Sequence, residues 1–173
     1  SRCTRVPSAL NRTVSVFDYL GPAATLVKKL KYGNQQHLAE GMAAYMAAQL
    51  LQSGVDLPDY LVPIPITWLR HFDRGYNQSL LLAEGMAKIL DRPVLQALGR
   101  CCGDLSQAGL SRGQRLHLGA DSFYLKKRGM LEEKNLLLID DVMTTGTTLK
   151  RCAEVLAAEY PATIRALTFC RAF

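Results

Sequence analysis

At 173 residues, with 49% hydrophobic and 21% charged residues, the chain has the size and composition of one ordinary globular domain that buries a core without disulfide or metal staples. No stretch approaches the roughly eighteen uninterrupted apolar residues of a bilayer-spanning helix, so a membrane span is excluded within this sequence. A net charge of +6 and a pI of about 9.2 favour an anionic partner, either a phosphorylated small molecule or nucleic acid, without choosing between them.

Cysteine usage points to a compartment. Cys3, Cys101, Cys102, Cys152 and Cys170 are odd in number and lack metal-ligand spacing, which suits reduced thiols in the cytoplasm. The opening Ser1-Arg-Cys-Thr-Arg5 has no apolar h-region and reads as the cut edge of a longer protein.

In chain order, Val14 to Tyr19 alternates like a strand, and Gly21-Pro22 turns into a first helix over Ala23 to Leu30. Lys28, Lys29, Lys31 and Tyr32 form a basic cluster at its end, closed by Gly33-Asn34. A second helix, Leu38 to Leu51, is an Ala- and Met-rich packing stripe. Tyr60 to Ile66 predicts a short apolar strand ending in Pro63 and Pro65, which lack the N–H that a ladder needs, so the backbone must leave in a fixed direction. A shaped loop is expected from Thr67 to Gln78. It enters an amphipathic helix over Ser79 to Leu90, with Asn77 as its N-cap.

Pro93 to Leu98 is a weaker strand. Gly99 to Ala120 is polar, rich in Gly, Arg, Ser and Gln, and of the length of a functional loop. Ser122 to Lys127 again looks like a strand. Leu136 to Ile139 predicts a buried parallel strand that stops at two carboxylates, Asp140 and Asp141. Thr144, Thr145, Gly146, Thr147 and Thr148 follow, opening a helix from Leu149 to Ala158, and Thr163 to Cys170 closes the chain as a strand. Alternating strands and helices predict a mostly parallel sheet flanked by helices, with ligands beyond the carboxyl ends of its strands. A single domain over residues 1–173 is expected.

The acid pair carries the chemistry. No G-x-x-x-x-G-K-[ST] exists in the chain, so the two aspartates are not the magnesium side of a P-loop nucleotidase. Paired carboxylates accept hydrogen bonds from two neighbouring hydroxyls, as on C2 and C3 of a ribose. The threonine-glycine loop and the helix N-terminus behind it suit the phosphate on C5, and Gly146 lets backbone approach the anion closely.

These residues carry a resemblance. Leu138-Ile-Asp-Asp-Val-Met-Thr-Thr-Gly-Thr-Thr148 is similar to the phosphoribosyl-pyrophosphate (PRPP) signature of type I phosphoribosyltransferases. Leu61-Val-Pro-Ile-Pro-Ile66, Arg70, Arg74-Gly-Tyr-Asn-Gln78, and Gln107-Ala-Gly-Leu-Ser-Arg112 with Arg115-Leu116 resemble the ComF/GntX-like competence family. The likeness covers nearly the whole chain, from Phe17-Asp-Tyr19 to Cys170-Arg171. The resemblance implies an α/β type I phosphoribosyltransferase fold with a small N-terminal hood built from Val16 to Tyr32. Family members begin with a cysteine-rich zinc module, of which only Cys3 is seen here.

The resemblance also assigns roles. Pro63, Ile64 and Pro65 with Arg70 and Arg74 correspond to the loop that receives pyrophosphate, often through an unusual backbone geometry. Gln107, Arg112 and Arg115 correspond to a flexible loop that closes over the site, although His117-Leu-Gly119 stand where many relatives carry an asparagine. Lys28, Lys31 and Tyr32 belong to the hood. The implied chemistry is displacement at the anomeric carbon: pyrophosphate leaves, its charge neutralised by magnesium and arginines, positive charge develops on the ribose, and a nucleophile takes its place. Magnesium is expected on the ligand's own oxygens and water, with Asp140 and Asp141 assisting. His71 and His117 read as incidental.

Two uses of such a site fit the sequence. One is a phosphoribosyltransferase linked to competence and DNA uptake, binding PRPP or another ribose phosphate, with an acceptor that the residues do not identify. The other is a non-catalytic protein that handles single-stranded DNA or contacts DNA-uptake proteins through Lys28, Lys29, Lys31, Arg70, Arg74, Arg112 and Arg115.

Overall fold

Four apolar residues in a row at Leu136 to Ile139 are buried alternately on two sides, and this places the strand at the centre of the molecule. Leu137 and Ile139 belong to one core cluster, Leu136 and Leu138 to another. A strand whose successive side chains point to opposite faces can bury both parities only when helices cover both faces of its sheet.

The computed structural model describes residues 9–101 and 123–172. The elements are β1 (Arg12–Asp18), α1 (Gly21–Tyr32), α2 (Leu38–Gln52), β2 (Tyr60–Pro63), α3 (Trp68–Arg74), α4 (Gln78–Leu90), β3 (Leu98–Arg100), β4 (Phe123–Leu125), β5 (Asn135–Met143), α5 (Thr147–Ala157) and β6 (Thr163–Arg171). The main sheet runs β1-β6-β5-β2 with every pairing parallel. β3 and β4 form a separate antiparallel pair. On one face, Val27 and Leu30 of α1, Met42 and Met46 of α2, and Leu82 and Met86 of α4 pack against Leu167 and Phe169 of β6. On the other, Leu149, Cys152, Ala153 and Leu156 of α5 meet Ile164 and Ala166 of β6 together with Phe123 of β4.

The fold is the expected one, with four local corrections. β5 does not stop at the acid pair but continues to Met143, in register with β6 up to Arg171, so the strand runs right up to the threonine-glycine loop at Thr144. The Thr67 to Gln78 segment is not all loop. It contains α3, capped by the Thr67 hydroxyl, which accepts from the Arg70 N–H at 3.3 Å, and closed by Gly75 in the left-handed region at φ 77. No residue of α3 is buried, so it leaves no apolar stripe for a sequence reading to find. Pro93 to Leu98 contributes only a single bridge, Val94 to Leu61, and strand pairing begins at Leu98 instead, running into the stretch expected as loop. Finally, all described peptide bonds are trans and no residue between 63 and 70 has a positive φ, so the Pro63 to Arg70 turn takes its shape from the fixed φ of its prolines.

The N-terminal segment expected as a hood begins as an edge strand of the main sheet. α1 then carries its last residues, Lys31 and Tyr32, over the carboxyl ends of the strands.

Candidate functional site

Parallel strands β5 and β2 end side by side, with Pro63 opposite Ile139 and the Ile64 N–H donating to the Ile139 carbonyl at 3.0 Å. The turn after β2 and the acids after Ile139 are therefore neighbours. Between them lies a cleft of about 360 Å³ lined by Asp140, Asp141 and Val142 from β5, Thr148 from α5, Ile64 to Ile66 from the turn, Arg70 and Arg74 from α3, Gln78 and Ser79 from α4, Lys31 and Tyr32 from α1, and Arg100 from β3. Arg70 and Arg74 stand four residues apart, which places both on one face of α3.

The two carboxylates are held differently. Asp141 continues the parity of Leu137 and Ile139 toward α1, and its Oδ2 lies 3.0 Å from Lys31 Nζ, an ion pair without the angles of a regular hydrogen bond. Asp140 Oδ1 accepts from Ser79 Oγ and from the Asp141 backbone N–H, each at 2.9 Å. Burial, reinforced by the neighbouring Asp141 charge, pushes the Asp140 carboxyl up to about 7, against the pull of its two hydrogen bonds and Lys31. Burial and the same aspartate push the Cys170 thiol up to about 11, which keeps it neutral.

A pH dependence follows. Folded Asp140 holds a proton that the unfolded chain, near the ordinary 3.8, has already released, so this group's stabilisation is complete below 3.8 and is lost as pH rises toward about 7. The ligand-free protein is expected to melt at progressively lower temperature between pH 5 and 7, with this contribution levelling off above. The Asp140→Asn variant should lack that slope, and an equal slope in both proteins would contradict the assignment.

Of the threonine-glycine loop, Thr148 reaches the cleft lining, while Thr144, Thr145 and Thr147 are exposed at its edge. Gly146 occupies the left-handed region at φ 74 as N-cap of α5, and the Thr145 and Thr147 hydroxyls lie 2.9 Å apart across it. Ile64 and Pro65 line the cleft. Pro63 lies behind the turn and opens onto a second cleft, also about 360 Å³, lined by Trp68, His71, Arg100, Tyr124 and Lys126 among others. Lys28 is exposed on α1 and is absent from the cleft lining, unlike Lys31 and Tyr32. Gln107, Arg112, Arg115 and His117 lie outside the described residues.

Besides the apolar Ile66 and Val142, three polar cleft residues escaped the sequence reading as site residues. Ser79 and Gln78 look like the ordinary start of a helix, and Arg100 like part of a loop. Gln78 is only 2% exposed and its Nε2 has no hydrogen-bond partner among the described residues. No sequence signal distinguishes these three from solvated polar residues.

Among the described residues, no group of three or more His, Cys, Asp or Glu is placed to hold a metal ion. Asp140 and Asp141 are the carboxylates lining the cleft, and Lys31 already engages one of them. A magnesium ion would fit here only with most of its ligands supplied by a bound diphosphate and water.

A model of the phosphoribosyl transferase domain matches residues 42–172. The chain belongs to that family. Its curated relatives place it in the ComF-like branch of the type I phosphoribosyltransferases. The DNA utilization protein YhgH of Salmonella typhimurium is 31% identical over 175 residues, covering 98% of this chain and 76% of the relative. Competence protein F of Haemophilus influenzae is 28% identical over 160 residues, covering 89% and 70%. Among solved structures, the phosphoribosyl-pyrophosphate amidotransferase of B. subtilis superposes with a TM-score of 0.50 at 16% identity, over 76% of this chain and 26% of its own, so the phosphoribosyltransferase-like chain spans about a quarter of that enzyme. That likeness concerns the fold. Lys31 and Tyr32 precede the stretch matched to the family model, so the side of the cleft that α1 builds lies outside it.

Among the described residues no helix is long and apolar enough to cross a membrane.

Proposed function

We propose that the cleft binds PRPP, or a related ribose 5-phosphate, together with magnesium, and that this ComF-like protein uses it in a competence-related process. The observation that carries the reading is the convergence of Asp140, Asp141 and Thr148 with Arg70 and Arg74 on one cleft. The acid pair suits the vicinal hydroxyls of the sugar, the Gly146 loop its 5-phosphate, and the two arginines with the proline turn a diphosphate on the anomeric carbon. Magnesium, when bound, would neutralise the departing diphosphate. The chain's own contribution is orientation and fixed charge: Asp140 and Asp141 hold the ribose, and the arginines face the leaving group. Titration of the protein with PRPP and magnesium tests it, and an absence of binding heat or ligand-induced stabilisation would remove the reading.

A second reading has an observation of its own. Trp68 is 65% and Phe72 76% exposed, their rings stacked with centroids 5.7 Å apart, beside the second cleft with Arg100, Tyr124 and Lys126. Exposed aromatic rings interleaved with cations suit the bases and phosphates of single-stranded DNA. Trp68 is the sole tryptophan of the chain, so its fluorescence reports on that surface directly. A short single-stranded oligonucleotide is expected to quench it, with an affinity that falls steeply with salt and weakens in Lys126→Ala. Unquenched emission, or binding indifferent to salt, would remove this use of the surface.

A further inference from the structure

The run from Arg74 to Ser79 reads as the end of one element and the start of the next, and helix capping accounts only for an acceptor at Asn77. In the structure this short stretch reaches α1 twice, the proline turn after β2, and β5. An Arg74 guanidinium N–H donates to the Tyr32 hydroxyl at 3.4 Å, with the guanidinium 5.0 Å from the ring centroid. The Tyr76 hydroxyl donates to the Leu30 carbonyl. Asn77 Nδ2 donates to the Ile64 carbonyl at 3.0 Å, and Ser79 Oγ donates to Asp140 Oδ1 at 2.9 Å.

Asn77 uses both ends of its amide. Its Oδ1 accepts from the Ser79 N–H at 3.0 Å, as an N-cap does, while Nδ2 holds the proline turn. A cap needs only the acceptor, and serine, threonine or aspartate would supply it as well. The amide donor is superfluous to capping. It closes a path of three hydrogen bonds from the Ile64 carbonyl through Asn77 and Ser79 to the Asp140 carboxylate. The sheet ties the same two places once already, through the Ile64 N–H and the Ile139 carbonyl at 3.0 Å. The side-chain path adds a second tie, on the cleft side.

We infer that Asn77, acting through Ser79, is a positioning residue that fixes the span between the proline turn and the acid pair, and so matches the cleft to a single ligand carrying a diphosphate and a vicinal diol. The inference rests on the reading of the cleft as a PRPP site. A ligand that touches two anchoring points gains from both only when their separation fits it, because the second contact is then made at high effective concentration. Each anchoring point keeps its own chemistry when the span loosens, and only the two-ended ligand senses the change.

Asn77→Ser separates the two roles, since serine caps the helix while lacking an amide to reach Ile64. Wild type and variant are titrated with PRPP, pyrophosphate and ribose 5-phosphate, each with magnesium, alongside thermal melts. The expected result is a drop of about tenfold or more in PRPP affinity, with pyrophosphate and ribose 5-phosphate each within about twofold of wild type. The melting temperature should stay within about 2 °C because the cap is kept. Ser79→Ala should weaken PRPP binding in the same way, and Ser79→Thr, which keeps the hydroxyl, should restore it. Unchanged PRPP affinity in Asn77→Ser overturns the inference while leaving the PRPP reading intact. So does a parallel loss for all three ligands accompanied by a lower melting temperature, the mark of a purely structural cap. If wild type binds none of the three, both the inference and the PRPP reading fall.

Discussion

Asp140→Ala and Asp141→Ala are each expected to lower affinity for PRPP with magnesium about a hundredfold, or ~3 kcal/mol, measured by isothermal titration. Each acid accepts a hydrogen bond from a ribose hydroxyl in this reading, and Asp140 and Asp141 are the carboxyl groups lining the cleft. The two variants should differ without ligand. Asp141→Ala leaves Lys31, whose side chain is 22% exposed, facing the cleft without its 3.0 Å partner. Asp140→Ala removes a half-buried carboxyl and frees the two donors it accepts from, the Ser79 hydroxyl and the Asp141 backbone N–H. Asp141→Asn, which keeps the shape and loses the charge, should bind PRPP as poorly as the alanine variant. Binding equal to wild type in both alanine variants would mean that the acid pair does not hold the ligand.

Phe169→Ala is expected to cost about 3–5 kcal/mol of stability, lowering the melting temperature by roughly 10 °C or more. Phe169 is fully buried on β6, the strand between β1 and β5, and packs edge-on against Phe17 with ring centroids 5.2 Å apart. Its ring lies in the core cluster shared with α1, α2 and α4, so the cavity left by truncation would be walled by several elements that cannot all collapse into it. A melt within about 2 °C of wild type would show that this face repacks far more freely than its burial implies.

The central strand, the helices over Ala23 to Leu30 and Ser79 to Leu90, and the threonine-glycine loop were legible because each is written in a local pattern. The pattern is apolar continuity for β5, a 3.6-residue stripe for α4, and a Thr-Gly cluster after two acids for the loop. α3 was hidden for the opposite reason. It buries nothing, and its signals are a cap at each end, Thr67 and Gly75, that also occur in loops. The bridge at Val94 is a pairing between residues 33 apart in sequence, and no local periodicity reports a partner.

The site divides along the same line. By itself the sequence determined its chemical inventory: two adjacent carboxylates at a strand end, a glycine able to take a positive φ, and two arginines after a proline turn. These are properties of residue type and of spacing within a few positions, which short-range physics fixes. Only the tertiary structure decided how the inventory is held. Lys31 pairs with Asp141, 110 positions away, Ser79 holds Asp140, and Asn77 ties Ile64 to that acid. Those contacts exist because parallel pairing brings the ends of β2 and β5 together while α1 and α4 pack on the face above them. A partner chosen by packing leaves no mark on the residues next to it in the chain.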